Sequence, residues 1–200
     1  MKGKSSMLMA LLIVLAGAII LVSLGMYSYF SYKNTPVYFN SAKAEQAKRL
    51  YSKAMDVSLD QNYPKTPDEV MDYYLIMSRL IYSDMIVEQS LFGEIITQMR
   101  KLYGPELLEE NSYESQLNTV EIAVETLKKQ KINQSGYEQL PTMFNSLDPD
   151  VCYIRAKQNY SNREVFYWEF QLERVPPENN WKIIRFERTD ENYDPIPGGW

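Results

Sequence analysis

Twenty consecutive residues, Met7 to Met26, carry no charged side chain, and eleven of them are Leu, Ile or Val; after them, short apolar stripes alternate with polar stretches. A helix of that length rises about 30 Å, the thickness of a bilayer's hydrocarbon core. The pattern predicts one span, with Leu11, Leu12, Ile13, Val14, Leu15, Ile19, Ile20 and Leu21 in the apolar run and Tyr27, Tyr29 and Tyr32 as an interfacial belt. A cleaved signal peptide is the alternative. Against it, the run exceeds the roughly 7 to 15 residues of a signal h-region. The short basic head, Lys2 and Lys4, predicts a cell-membrane anchor with a cytoplasmic N-terminus and an extracytoplasmic C-terminal domain.

Beyond the anchor the period is first helical. Leu50, Tyr51, Ala54 and Val57 share one face of a helix expected between Ser41 and Leu59. Thr66, Pro67 and Glu69 read as N-cap, first helical residue and capping box, followed by a stripe of Val70, Tyr73, Tyr74, Met77, Leu80 and Ile81. Leu91, Phe92, Ile95, Met99 and Leu102 mark another helix, which Gly104-Pro105 ends. A turn with Leu107 and Leu108 precedes a third amphipathic helix carrying Leu117, Val120, Val124 and Leu127.

From Val151 the period becomes two. Cys152, Ile154 and Ala156 form one face of a strand, Phe166, Trp168, Phe170 and Leu172 one face of the next, and Trp181 to Arg188 a third. With loops at Asn159–Arg163 and Pro176–Asn180 this is an antiparallel meander, and a further strand is expected within Lys131–Met143. The domain division is a basic head at 1–6, an anchor at 7–32, a linker with a juxtamembrane helix at 33–65, an α+β domain at 66–190 and a flexible tail at 191–200. Helices first and sheet last predict helices packed on one face of the sheet.

That order resembles the NTF2-like (SnoaL-like) cone. The stretch Leu59–Val70, the run Leu102–Asn111 and the closing strand at Trp181-Lys-Ile183 are similar to a family of uncharacterised single-pass, membrane-anchored proteins of Gram-positive, Clostridia-type bacteria. The shared positions are helix caps and core residues, so the resemblance implies a fold and no catalytic residue.

Composition narrows the chemistry. Residues 1–33 hold three of the 21 basic residues and none of the 26 acidic ones, so the remainder carries −8, a poor match for nucleic acid. There is no histidine, which removes the commonest general base and metal ligand. The single Cys152 permits no internal disulfide and reads as a buried small hydrophobe. No metal site, cofactor or catalytic residue is expected.

Two surfaces remain. Tyr73, Tyr74, Met77, Trp168 and Phe170 would line a cone able to hold a small amphipathic ligand, or else form ordinary core. Tyr153, Val165, Tyr167 and, depending on register, Trp181 and Ile183 would form an apolar sheet back suited to self-association or to another envelope protein. The expected function is a non-enzymatic, membrane-anchored extracytoplasmic scaffold. A ligand-binding module at the membrane surface is the alternative, and isomerase or cyclase chemistry a more distant one.

Overall fold

The computed structural model describes residues 39–56, 58–88 and 90–196. Among the described residues no helix is long and apolar enough to cross a membrane. The single-pass architecture is corrected accordingly, together with its cytoplasmic N-terminus, extracytoplasmic domain and membrane partner. No described helix supplies a span, and residues 7–32, on which that architecture rests, lie outside the described part.

Helices α1 (Ala44–Met55), α2 (Pro67–Tyr82), α3 (Ser90–Arg100), α4 (Pro105–Glu110) and α5 (Tyr113–Gln130) precede strands β1 (Gln134–Gln139), β2 (Met143–Phe144), β3 (Val151–Tyr160), β4 (Val165–Val175) and β5 (Asn180–Thr189). The strands run in the order β1-β3-β4-β5, and β2 pairs with β3 beside β1. The two ends of this order are not joined. The expected cone is therefore corrected to an open sheet with helices packed on it.

Thr66 starts α2 as its sequence predicts. Its hydroxyl accepts from Glu69 N at 3.2 Å, and the Glu69 carboxylate accepts from Thr66 N at 3.2 Å. The helix then buries more than one stripe. Val70, Met71, Leu75, Ile76, Met77, Ser78, Leu80 and Ile81 are all inside, because α1 and α3 pack against α2 on one side and the sheet on the other. A helix apolar on most of its circumference has to be covered on more than one side.

α1 belongs to this body, burying Ala47, Leu50 and Ala54. Its start is held to the loop after α2: Asn40 N donates to Met85 O at 2.8 Å and Lys43 Nζ to Asp84 Oδ1 at 2.6 Å.

The sheet's inner face consists of Cys152, Ile154, Ala156, Phe170, Leu172, Trp181 and Ile183, all buried. Gln158 would be an exception, but its amide donates to Ser78 Oγ at 3.0 Å, so the polar pair is buried together. The free side of β5 is met by the α3–α4 connection. Ile183 N donates to Leu102 O at 2.8 Å and Gly104 N to Ile183 O at 2.9 Å. A Cβ on Gly104 would meet Ile184 Cδ1, the end of a flexible side chain that has to turn aside, while the β5 backbone stays at ordinary contact distance.

Two substitutions test these joints in urea unfolding. Thr66→Ala should lose about 0.5 to 2 kcal/mol with the cap. Gly104→Ala should lose about 0.5 to 1.5 kcal/mol, since the Ile184 side chain has to change its rotamer to admit the Cβ.

Candidate functional site

The concave face between α2 and the sheet brings most of the expected pocket residues together and fills the space between them. Met77 and Phe170 are fully buried. The Tyr74 ring lies edge-on to Phe170 at 5.1 Å and near Tyr103 and Phe186 at 6.4 and 6.3 Å. Trp168 stands 6.1 Å from Phe186. Tyr73 is half-buried and packs against the same core. Rings at these spacings are in mutual contact, with the edge and tilted geometries favoured by aromatic quadrupoles.

The polar tips of this cluster are joined internally. Gln116 Nε2 donates to Tyr103 Oη at 3.1 Å, and Arg100 Nη1 donates to Gln116 Oε1 at 3.1 Å. Burial pushes the Tyr74 phenol well above its ordinary pKa, with neighbouring Tyr103 and Tyr82 adding to the rise. Burial also carries Tyr82 and Tyr160 up to about 12. On paired positions of β4 and β5, Trp168 Nε1 and Arg188 Nε are buried without an acceptor, while the Arg188 guanidinium stacks 4.0 Å from the Phe166 ring.

The outer face of the sheet differs from the apolar surface expected of it. Trp181 and Ile183 point into the core. Tyr153, Val165 and Tyr167 are half-buried among charged neighbours. Arg155 Nε donates to Glu169 Oε2 at 2.8 Å, Lys157 pairs with Glu138 at 3.4 Å and Arg185 with Glu187 at 3.0 Å. The turn at residues 190–194 covers part of this face. Tyr193, at φ 67°, sets its ring perpendicular to Tyr167 at 5.7 Å and under the Arg155 guanidinium at 4.6 Å. Asp190 Oδ1 holds that turn by accepting from Asn192 N at 2.8 Å and Asp194 N at 2.9 Å. Self-association through a bare apolar sheet back is corrected on this ground: the face is ion-paired and carries its own C-terminal turn.

An exposed apolar group lies elsewhere, at the β2 end of the sheet. Met143 is 40 % exposed, Phe144 58 % and Leu147 94 %. Met143 pairs with Tyr153 and so stands on the outer face, whereas Phe144 pairs with Cys152 on the inner face and meets the Trp181 ring at 6.0 Å. Trp181 is itself held by Arg174, 4.9 Å from its ring, and by Tyr63 Oη, which donates to its carbonyl at 2.8 Å. The connection to β3 is stitched to itself. Leu147 N donates to Asn145 Oδ1 at 2.9 Å, Asn145 N to Val151 O at 3.0 Å and Asp150 N to Asp148 Oδ1 at 3.0 Å. Thr142 Oγ1 donates to Asp68 Oδ1 at 2.8 Å and ties the approach to β2 to the start of α2. The sequence signal for this site is faint: Met143-Phe144 and Leu147 stand among turn formers, with no period to mark them.

Cys152 is fully buried, and burial pushes its thiol up to about 12, which disfavours the reactive thiolate. Among the described residues no group of three His, Cys, Asp or Glu side chains could hold a metal ion.

The described residues thus form an α+β domain with helices on an open antiparallel sheet, an aromatic interior and an apolar tip. The chain belongs to the family described as Domain of unknown function (DUF6715), whose family model matches residues 1–186. No curated protein and no solved structure matches it. The resemblance to a membrane-anchored NTF2-like family is corrected by this assignment: the matching family carries no such description.

The buried phenols fix an alkaline limit on stability. Below pH about 9 they are protonated in both states; above about 10 the unfolded chain ionises while the folded core retains its protons, so stability falls from about pH 10 upwards. The late part of the tyrosinate absorbance should therefore appear together with loss of far-ultraviolet dichroism. Its completion while the dichroism is intact would show that the phenols are accessible.

Proposed function

We propose that this domain acts by binding another polypeptide at the β2 end of its sheet and carries out no chemical reaction. The observation that carries the reading is Leu147, 94 % exposed on a connection whose backbone is held by hydrogen bonds, with Phe144 and Met143 exposed on the inner and outer sides of β2, three and four residues earlier in the chain. Isolated exposed aliphatics are ordinary on a monomer, whereas several large apolar side chains within five residues are not. Removing a Leu or Phe side chain from water is favourable by about 1.5 to 3 kcal/mol, so the group gains from a covering surface. Aromatic and Met side chains around a fixed tip also match the anchors that dominate protein interfaces.

The absence of histidine, the high pKa of the Cys152 thiol and the engagement of Glu169 with Arg155 support binding over catalysis. This reading centres on β2 and its connection to β3 and places the protein in no particular compartment.

A photo-reactive residue at position 147 of the full chain, irradiated in its own cells, tests the proposal. A discrete adduct of defined mass is expected, lost on Phe144→Asp and retained on Ile122→Asp, which charges an unrelated exposed aliphatic on α5 that is 59 % accessible. No adduct, or one indifferent to Phe144→Asp in a protein with an unchanged melting temperature, would refute it.

A further inference from the structure

An open sheet has two edges, and each presents a row of backbone groups able to pair with another chain. At β5 the partners come from the same chain. Ile183 N donates to Leu102 O at 2.8 Å and Gly104 N to Ile183 O at 2.9 Å near one end, and Ile196 N donates to Arg188 O at 3.1 Å near the other. The opposite edge is made by β1 and β2. Among the described residues no strand pairs with its outer side.

The register identifies the groups that stand free there. Leu140 N donates to Arg155 O at 2.9 Å and Asn145 N to Val151 O at 3.0 Å, so the backbone of both residues turns towards β3. Successive positions of an antiparallel pair alternate between bonded and non-bonded. With Tyr137 opposite Gln158, Gln139 opposite Ala156 and Phe144 opposite Cys152, the N–H and C=O groups of Tyr137, Gln139 and Phe144 point away from β3. Pro141, at the outward position after Gln139, has no N–H, so the edge offers two short runs with a break between them. The second run carries Phe144 and leads into the connection that exposes Leu147.

Outward groups on alternate residues match another extended backbone, whereas the backbone of a helix is bonded within itself. Side chains beside the edge narrow the choice further. Asp68 accepts from Gln139 Nε2 at 3.1 Å and from Thr142 Oγ1 at 2.8 Å, both neutral donors, and Asp72 accepts from Tyr137 Oη at 3.4 Å and pairs with Lys53 at 2.7 Å. An incoming strand is favoured with an apolar side chain over Phe144 and disfavoured with an acidic one beside Asp68.

We propose that the partner of the apolar tip lays an extended segment along β1 and β2 as an added strand, bonded to the backbone of Tyr137, Gln139 and Phe144, with an apolar side chain over Phe144 and no acidic one beside Asp68. This rests on the reading that a polypeptide binds at the β2 end, and it uses backbone groups that the reading does not require.

A photo-reactive residue at position 138, where the native side chain is 56 % exposed, is irradiated in the full chain in its own cells and compared with the one at position 147. Adducts to the same partner are expected from both. The adduct at 138 should be lost on Gln139→Pro, which removes an outward N–H and none of the backbone bonds between β1 and β3. Hydrogen exchange in the isolated adduct, followed residue by residue, should slow about tenfold or more at the amides of Tyr137, Gln139 and Phe144 and hold steady at Leu140 and Asn145, which are already bonded to β3. The exchange measurement stands in if Gln139→Pro perturbs the fold. An adduct from either site whose outward amides exchange as in the free chain overturns the added strand, and one formed at 147 still supports the tip. Slowed outward amides in an adduct formed at 138 alone support the strand and refute the tip. No adduct at either position overturns both.

Discussion

The structure depends on covering α2 from opposite sides. With Val70, Met71, Leu75, Ile76, Leu80 and Ile81 all inside, this helix has no wide polar face to leave in water. One surface rests on the sheet and the other on α1 and α3, and each covering layer needs its own attachment. For α1 the attachment is electrostatic and local, through Lys43 to Asp84 and Asn40 to Met85. For α3 it is the extended segment after the helix, which runs parallel to β5 and exchanges hydrogen bonds with Ile183. The sheet edge and the helical layer are therefore secured by the same residues, Leu102 to Gly104, and a loss of fit at that joint acts on both.

This double cover explains why a set of aromatic side chains that reads as a pocket lining is interior. Trp168, Phe170 and Phe186 stand on the inner face of the sheet, Tyr74 of α2 and Tyr103 of the α3–α4 connection pack onto them, and each ring is within about 6.5 Å of another member. Tyrosine in such a place needs a partner for its hydroxyl, and the Tyr103–Gln116–Arg100 chain provides one from α5 and α3. Periodicity alone cannot separate these cases, since both require large rings on one face; the difference lies in whether facing rings meet. Here they do.

Local chemistry was readable wherever it decides the outcome. The Thr66 capping box, the start of α2 at Pro67 and the alternation in β3 and β4 appear in the structure much as their residues imply. The harder features depend on tertiary placement. In β5, Trp181 and Ile183 face inward, and so does Phe186, three residues further on. A strict two-residue period cannot place both 183 and 186 on one face. The irregularity at Gln171/Leu172 shifts the register between β4 and β5 and makes it possible, and no residue type in β5 announces it. The C-terminal turn is similar. Asp190 to Ile196 has the composition of a loose end, yet Asp190 closes it and Tyr193 finds a ring and a guanidinium across the outer face. Charge on β3, β4 and β5 could be counted from the sequence, but its pairing across strands, Arg155 with Glu169 above all, depends on the register.

The exposed tip at Leu147 is best understood from what holds it there. Phe144 is braced by Trp181, Trp181 by Arg174 and Tyr63, and Thr142 by Asp68, so the connection is tied to β5, β4 and the start of α2. A loop free to relax could turn Leu147 down onto the neighbouring apolar surface. This one cannot do so without breaking the Asn145 and Asp148 turns that satisfy its own backbone. The same stitching fixes the backbone that carries Leu147, while its side chain, 94 % exposed, keeps its rotamer freedom. The backbone share of the ordering entropy is then met during folding, and a partner that covers Leu147 and Phe144 still has to immobilise their side chains, at about 0.5 to 1.5 kcal/mol each. A fixed apolar projection of this kind favours a complementary cleft over a flat surface, since only a cleft surrounds a side chain that stands almost entirely in solvent.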